Sequence, residues 1–304
     1  TKKGSRPNKG IGITVNEGIV VGSIDKSTLP KYQTQYGQGY GSSGYDPAYP
    51  DQNGYFYYVP AIGSGGQPVS VVQTDWDLVQ GPAYNQSMLV YNWDAFSPSD
   101  PNYGKATPWA PAAHHEATDL FVTPVTNITS IYLTGGNEKS TFKGGYSNSY
   151  DGGILPNSHL KKNLLNFAAT YNFTDKLSAG ANLNYIDEAG LNRDSYDFRA
   201  TNVIVRDFRQ WWPTNVDLDA QKNDYFNSRA NAAWNILGGY TTAAPGTLPK
   251  AAYHDNPYWT LYENYNNDSR KRYFGNVHAE YKITAYLTLT GNVAMQAVQI
   301  LGLE

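Results

Sequence analysis

The sequence predicts an all-β protein and, within that class, part of a transmembrane antiparallel β-barrel. Three observations carry this expectation. The first is a hairpin from Leu164 to Asn184 in which apolar residues recur at every second position on both sides of a short turn at Thr174-Asp175. A period of two marks strands. Leu165, Phe167, Ala169, Tyr171 and Phe173 share one face of the first strand, and Leu177, Ala179, Ala181, Leu183 and Tyr185 continue it in the second. The second observation is the opposite face. Asn166, Ala168, Thr170, Asn172, Ser178, Gly180, Asn182 and Asn184 are small, uncharged and rich in amides and hydroxyls, as suits strands that line a hydrated lumen and face lipid outside. The third is composition. Aromatic residues make up 14% of the 304 residues, 26 of them Tyr, and charged residues only 16%, against about 25% charged in soluble domains.

Other classes fall away in turn. No apolar run reaches the roughly 18 residues of a transmembrane helix, so a barrel is the only spanning architecture left. A net charge of −3 and a pI near 5.9 argue against a nucleic-acid surface; the basic runs Lys161-Lys162 and Arg270-Lys271-Arg272 lie beside strands and form no long basic face. The absence of cysteine excludes disulfides, thioether haem attachment and thiolate zinc sites. Composition alone also fits a secreted glycan-binding β module.

The elements follow in order. Ile11 to Ser23 reads as a strand, with Ile11, Ile13, Val15, Ile19 and Val21 on one face and Glu17 as the exception. From Ile24 to Pro124 alternation stops, and a connection of this length is expected only where it is functional. Strands resume at Asn127–Gly135 and Ser140–Tyr150, joined by the turn-like Gly135-Gly136-Asn137-Glu138. After the central hairpin, the clearest pattern is the last. Tyr273, Gly275, Val277, Ala279, Tyr281 and Ile283 lead through Thr284-Ala285 into Leu287, Leu289, Gly291, Val293, Met295 and Ala297. Short turns belong on the periplasmic side and long loops outside. The turns near Gly136, Asp175 and Thr284 therefore share one side, and about 24–125, 151–161 and 186–268 become exterior loops. Asp224 to Leu237 is then expected as helix or irregular loop. Seven strands result, too few to close a transporter barrel. Thr1-Lys2-Lys3-Gly4 carries no targeting pattern, and the sequence is expected to be an internal portion of a longer protein.

Several words in these segments resemble, in order and spacing, the SusC/RagA family of TonB-dependent outer-membrane transporters of Bacteroidetes. They are Leu29-Pro30-Lys31-Tyr32-Gln33-Thr34-Gln35-Tyr36-Gly37-Gln38-Gly39, Gly152-Gly153-Ile154-Leu155-Pro156-Asn157-Ser158, Asn256-Pro257-Tyr258-Trp259 and Arg272-Tyr273-Phe274-Gly275-Asn276. The opening Thr1-Lys2-Lys3-Gly4 is similar to the end of that family's plug. The resemblance implies that residues 1–10 end a plug domain and linker, and that 11–304 form the early strands of a barrel of about 22 strands. It also implies a SusD-like surface lipoprotein as partner, and TonB acting through a segment this sequence lacks. The implied activity is energy-coupled import of a bulky glycan or oligopeptide across the outer membrane.

The expected exterior loops carry the candidate substrate contacts Trp76, Trp93, Trp109, Trp211 and Trp212. Flat indoles stack on sugar rings or anchor a partner at small entropic cost. Trp211-Trp212-Pro213 is the preferred platform, although the same rings could equally pack loops together. Pro257, Tyr258 and Trp259 read as loop anchors, since proline fixes the backbone and the aromatics supply buried area. His114-His115-Glu116 with Asp119 lacks the helical spacing of a zinc site. No cofactor is expected. A structural cation held by some of Asp46, Asp51, Asp75, Asp77, Asp94 and Asp100 stays open, without an ordered calcium loop. Asn182, Asn184, His278, Glu280, Lys282, Thr290 and Gln296 are expected on the lumen wall. No nucleophile, base and orienting group come together, so no enzymatic activity is expected. A passive pore and a secreted adhesion or glycan-binding module are the rival functions.

Overall fold

The computed structural model describes residues 10–42, 54–192, 203–238 and 246–303. Residues 1–9, assigned above to the end of a plug, lie outside them. Strand accounts for 47% and helix for 13%, so the chain is mostly β, built around one large antiparallel sheet. It divides into two compact units, one of residues 1–24, 122–193 and 266–304 and the other of 25–121 and 194–265.

The first unit is a seven-stranded sheet. Its strands are β1 (Gly10–Val21), β2 (Val125–Gly136), β3 (Ser140–Gly152), β4 (His159–Asn172), β5 (Leu177–Leu191), β6 (Asn267–Lys282) and β7 (Thr288–Leu303). Each pairs antiparallel with the next in order. The period-two pattern is consistent with this because the register keeps like residues together. Ile13, Leu133, Gly144, Phe167, Leu183, Gly275 and Met295 form one unbroken row across all seven strands. Phe167, Leu183, Val277 and Leu289 are 47%, 52%, 60% and 63% exposed, whereas the centre of a soluble sandwich would enclose them. Aromatics mark two levels of this face. Tyr146, Leu165, Tyr185 and Tyr273 stand in one row, with the Tyr185 and Tyr273 rings stacked at 4.6 Å. Tyr171, Phe173 and Tyr281 stand near the turns. Tyr273 to Tyr281 covers about 27 Å of strand.

The opposite face is polar and answers itself. The Asn182 amide donates to Asn276 at 3.1 Å and Asn276 donates to Asn292 at 2.8 Å, giving an amide ladder across β5, β6 and β7. Ser130 and Ser147 hydroxyls meet at 2.7 Å. The short turns share a device: the Thr174 hydroxyl accepts from the Lys176 and Leu177 amides, and Thr284 accepts from Tyr286. Asn137 does the same for Lys139 and Ser140 between β2 and β3. β1 and β7 each have one neighbour among the described residues, so the sheet is open. The strands also run further than their apolar pattern. β5 continues to Leu191 and β6 starts at Asn267, leaving 192–266 outside the sheet where the pattern suggested 186–268. Asp187, Glu188, Arg270 and Lys271 hide the alternation there, while the backbone ladder persists and Lys162 pairs with Glu188 at 2.7 Å.

The second unit folds the long connections around a core of their own. It holds the two-stranded ribbons Tyr57–Pro60 with Pro68–Val71 and Asn85–Val90 with Thr107–Trp109. Gly39–Tyr40 pairs parallel with Val79–Gln80. Phe56, Val72, Val90 and Trp109 form one packed cluster. Gly37 lies so close to Trp109 that any Cβ there would collide with the ring, which requires glycine at this position of the Tyr36-Gly37-Gln38-Gly39 word. Helix Leu218–Ser228 starts because Asp217 accepts from the Asp219 and Ala220 amides and ends where Arg229 turns left-handed at φ 56°. Past that helix the chain is irregular, so Asp224 to Leu237 is helix and then loop, as the sequence suggested. A helical turn at Val203–Arg206 runs on into a π-helix, Asp207–Trp211.

Candidate functional site

The best-defined site lies in the second unit, where half-open aromatic faces surround a buried charge cluster. The π-helix presents Asp207 and Trp211 on successive turns. His254 arrives from the segment before helix Pro257–Tyr262. Its Nδ1 lies 2.6 Å from Asp207 Oδ1 and its Nε2 lies 3.1 Å from Asp77 Oδ2. A neutral imidazole has one donor and one acceptor nitrogen, so two carboxylates facing both nitrogens require an extra proton on the ring or on one acid. The Arg206 guanidinium, 3.2 Å from Asp207 Oδ1, balances the remaining charge. Asp207 and His254 are buried, and burial pushes the Asp207 carboxyl up against the opposing pull of His254 and Arg206. The imidazole lies flat on Trp234, with ring centres 5.3 Å apart and 12° between planes.

One aromatic ring lies beside this clamp, and a second belongs to the residue that precedes Asp77 in sequence. Trp211 is half-buried with its ring 6.3 Å from His254. Trp76, next to Asp77 in sequence, is half-buried and stacks on exposed Tyr40 at 4.7 Å. Backbone bonds hold the stack: Gln38 donates to the Trp76 carbonyl at 2.8 Å, and the Tyr40 amide donates to Gln73 at 2.7 Å. Gln38 and Gln73 are themselves fully buried. The result is a pair of rigid apolar faces beside carboxylates and a guanidinium. Such a set has the chemistry to meet a flat apolar surface that also carries hydroxyls or amides.

The remaining candidate residues fall elsewhere. Trp93, Trp109 and Trp212 are 1%, 1% and 4% exposed, so their rings are spent on packing. Trp109 meets Phe56 edge-on at 5.2 Å, and Trp212 lies 4.6 Å from Phe208 and 6.0 Å from Trp234. The structure therefore does not make Trp211 and Trp212 one platform: Trp212 turns into the core. Pro257 and Tyr258 are buried and Trp259 half-buried. Asn256 fastens this segment by capping its helix and donating to the Gln221 and Ala232 carbonyls at 2.9 Å each.

His114 faces Asp217 and Asp219, whereas His115 turns to the Ala112 carbonyl. Asp46 and Asp51 lie outside the described residues. Asp75 accepts from the Tyr57 hydroxyl, Asp77 is taken by His254, and Asp94 and Asp100 accept from Asn102. Among the described residues no three metal-ligating side chains converge. Burial, and secondarily Asp94, Asp224 and Asp217, push the Asp100 carboxyl up to about 6. Asn182, Asn184, His278, Glu280, Lys282, Thr290 and Gln296 share the polar face of the sheet, where Gln296 accepts from Arg272 at 3.2 Å.

Sequence reasoning missed Tyr40, Asp207, Trp234 and His254 as members of a site. Asp207 and Asp77 are 47 and 177 residues from His254, and no local spacing announces contacts of that range. Comparison with protein-family models and with curated proteins gives no match.

Proposed function

We propose that this chain is part of an outer-membrane β-barrel importer of the SusC/RagA kind, which takes up a bulky nutrient with energy from TonB and works with a SusD-like lipoprotein. The observation that supports this most is the exposed apolar face of the seven-stranded sheet. It runs in register across every strand, is bounded by aromatic levels and is backed by a polar face cross-linked by amide and hydroxyl hydrogen bonds. Apolar patches beyond a few hundred Å² on soluble proteins are rare. Strands of 12–16 residues exceed the roughly 9–11 needed to cross a bilayer at a tilt. The seven strands would then be an arc of a barrel of about 22, with short turns toward the periplasm. The Trp76 and Trp211 faces, with Asp77 beside them, are the proposed contacts for the nutrient.

The test uses cells carrying the complete gene. The protein is expected to stay with the outer membrane after carbonate washing and to need detergent for purification. Uptake of glycan or peptide mixtures should stop when an ionophore collapses the proton gradient. Uptake that survives the ionophore indicates a passive pore. Protein that purifies from the wash without detergent would end the membrane reading.

A further inference from the structure

The outer end of β2, β3 and β4, opposite the short turns, carries a cleft of about 430 Å³ formed within the first unit. We propose that it binds the phosphorylated headgroup of an outer-leaflet glycolipid; this rests on the sheet's apolar face being the lipid-facing one.

Register sets the location. Tyr150 pairs with Lys161 and Asn127, and His159 with Gly152, all on the face that carries Tyr146, Leu165 and Ile131. Tyr150 is four residues beyond Tyr146, about 13 Å further along the strand. That is roughly 10 Å higher at barrel tilt, at the level of headgroups and not of acyl chains.

The walls are built and not incidental. The 153–158 connection closes on itself, with the Gly153 amide donating to the Ser158 carbonyl at 2.9 Å and the Ser158 hydroxyl to the Leu155 carbonyl at 2.7 Å. The Val122 amide donates to the Ile154 carbonyl at 2.8 Å, which brings a second segment alongside. Gly153 packs directly against Ser158, where any Cβ would collide with the side chain, and Gly152 lies close against the Val125 carbonyl. Val122, Val125 and Leu155 make an apolar floor that continues down the face as Ile131 and Leu165.

The rim is cationic and polar. His159 stacks on Tyr150 at 5.1 Å, and the Lys161 ammonium stands 5.8 Å from the same ring. Lys161 is exposed and makes no ion pair among the described residues, whereas its neighbour Lys162, on the other face, is paired with Glu188. A cation held over an aromatic ring at headgroup depth, above an apolar track, complements a phosphate joined to an acyl chain. Lys161 would take the phosphate oxygens, the His159 ring N–H and the Asn157 amide the sugar hydroxyls, and the floor the first methylenes.

The full-length protein, extracted in mild detergent from its own outer membrane, is examined by native mass spectrometry. A glycolipid adduct is expected. Lys161→Ala should lower its occupancy about fivefold, and His159→Ala should also lower it. Lys161→Arg should retain it, as should Lys143→Ala, whose side chain lies on the polar face over Tyr132. Added inorganic phosphate should fail to displace the adduct, and vesicles of phosphatase-treated glycolipid should fail to restore it. Displacement by inorganic phosphate alone would show a simple anion site and overturn the lipid assignment. Wild-type occupancy in a membrane-inserted Lys161→Ala protein would overturn the proposal while leaving the importer reading intact. A wild-type protein that never inserts would remove that reading first.

Discussion

At Asn256 one carboxamide answers four backbone groups: its oxygen accepts from the Tyr258 and Trp259 amides, and its nitrogen donates to the Gln221 and Ala232 carbonyls. Asn256→Ala leaves buried groups unanswered and should destabilise the second unit by roughly 2–4 kcal/mol. The check is faster amide exchange through 221–232 and 256–262. Asn256→Asp keeps the helix cap but not the two donations, so its effect should be intermediate. The tryptophans separate in the same way. Trp76→Ala and Trp211→Ala should raise the half-saturation concentration for uptake about tenfold without changing the maximal rate, as loss of one stacking face would. Trp93→Ala instead opens a cavity costing roughly 3–5 kcal/mol, measured as loss of folded protein. Asp100 sets a pH dependence. Its folded pKa, about 6, lies above the ordinary carboxylate value, so the folded state holds the proton more tightly than the unfolded chain. The stability it contributes is complete below the ordinary value and lost as pH rises through about 6. Amide protection over 94–104 should therefore fall between the ordinary carboxylate value and about pH 6, and Asp100→Asn should flatten that slope.

At the level of the strand, what the sequence revealed and what it hid have separate physical causes. The alternation of Leu165 to Tyr185 and of Tyr273 to Ala297 was legible because each strand sees two environments, and a side chain's parity decides which it meets. The outer ends of β4, β5 and β6 were not legible: charged residues such as Lys161, Asp187, Glu188, Arg270 and Lys271 interrupt the apolar ones there, so a ladder held by backbone bonds leaves no regular mark in side-chain hydropathy. The second unit was less legible still. Its ribbons are two to six residues long, too short for a period to register, and the site joins residues by contacts far apart in sequence. Tryptophan content alone hinted at a packed core there. Parity also yields a contrast that can be measured. Leu183→Arg, at the middle of the apolar face, should cost roughly 2–4 kcal/mol of folding free energy in a bilayer. Asn182→Lys, one residue away on the polar face, should cost far less. Urea titration of the protein refolded into lipid vesicles compares the two, and equal losses would count against lipid on either face.

Across the whole molecule the indoles are unevenly distributed. All seven tryptophans, at 76, 93, 109, 211, 212, 234 and 259, lie in the second unit, and the sheet carries only tyrosine and phenylalanine. Intrinsic tryptophan fluorescence therefore reports one unit alone. Vesicles of brominated lipid should quench Leu183→Trp placed in a background without the half-buried Trp76 and Trp211, while Asn182→Trp should be far less affected. The open sheet has a different consequence. The free sides of β1 and β7 present two long rows of amide hydrogens and carbonyl oxygens with no partner strand among the described residues. Handled in isolation, these 304 residues would stitch to further copies of themselves, rim to rim, into ribbons that scatter light.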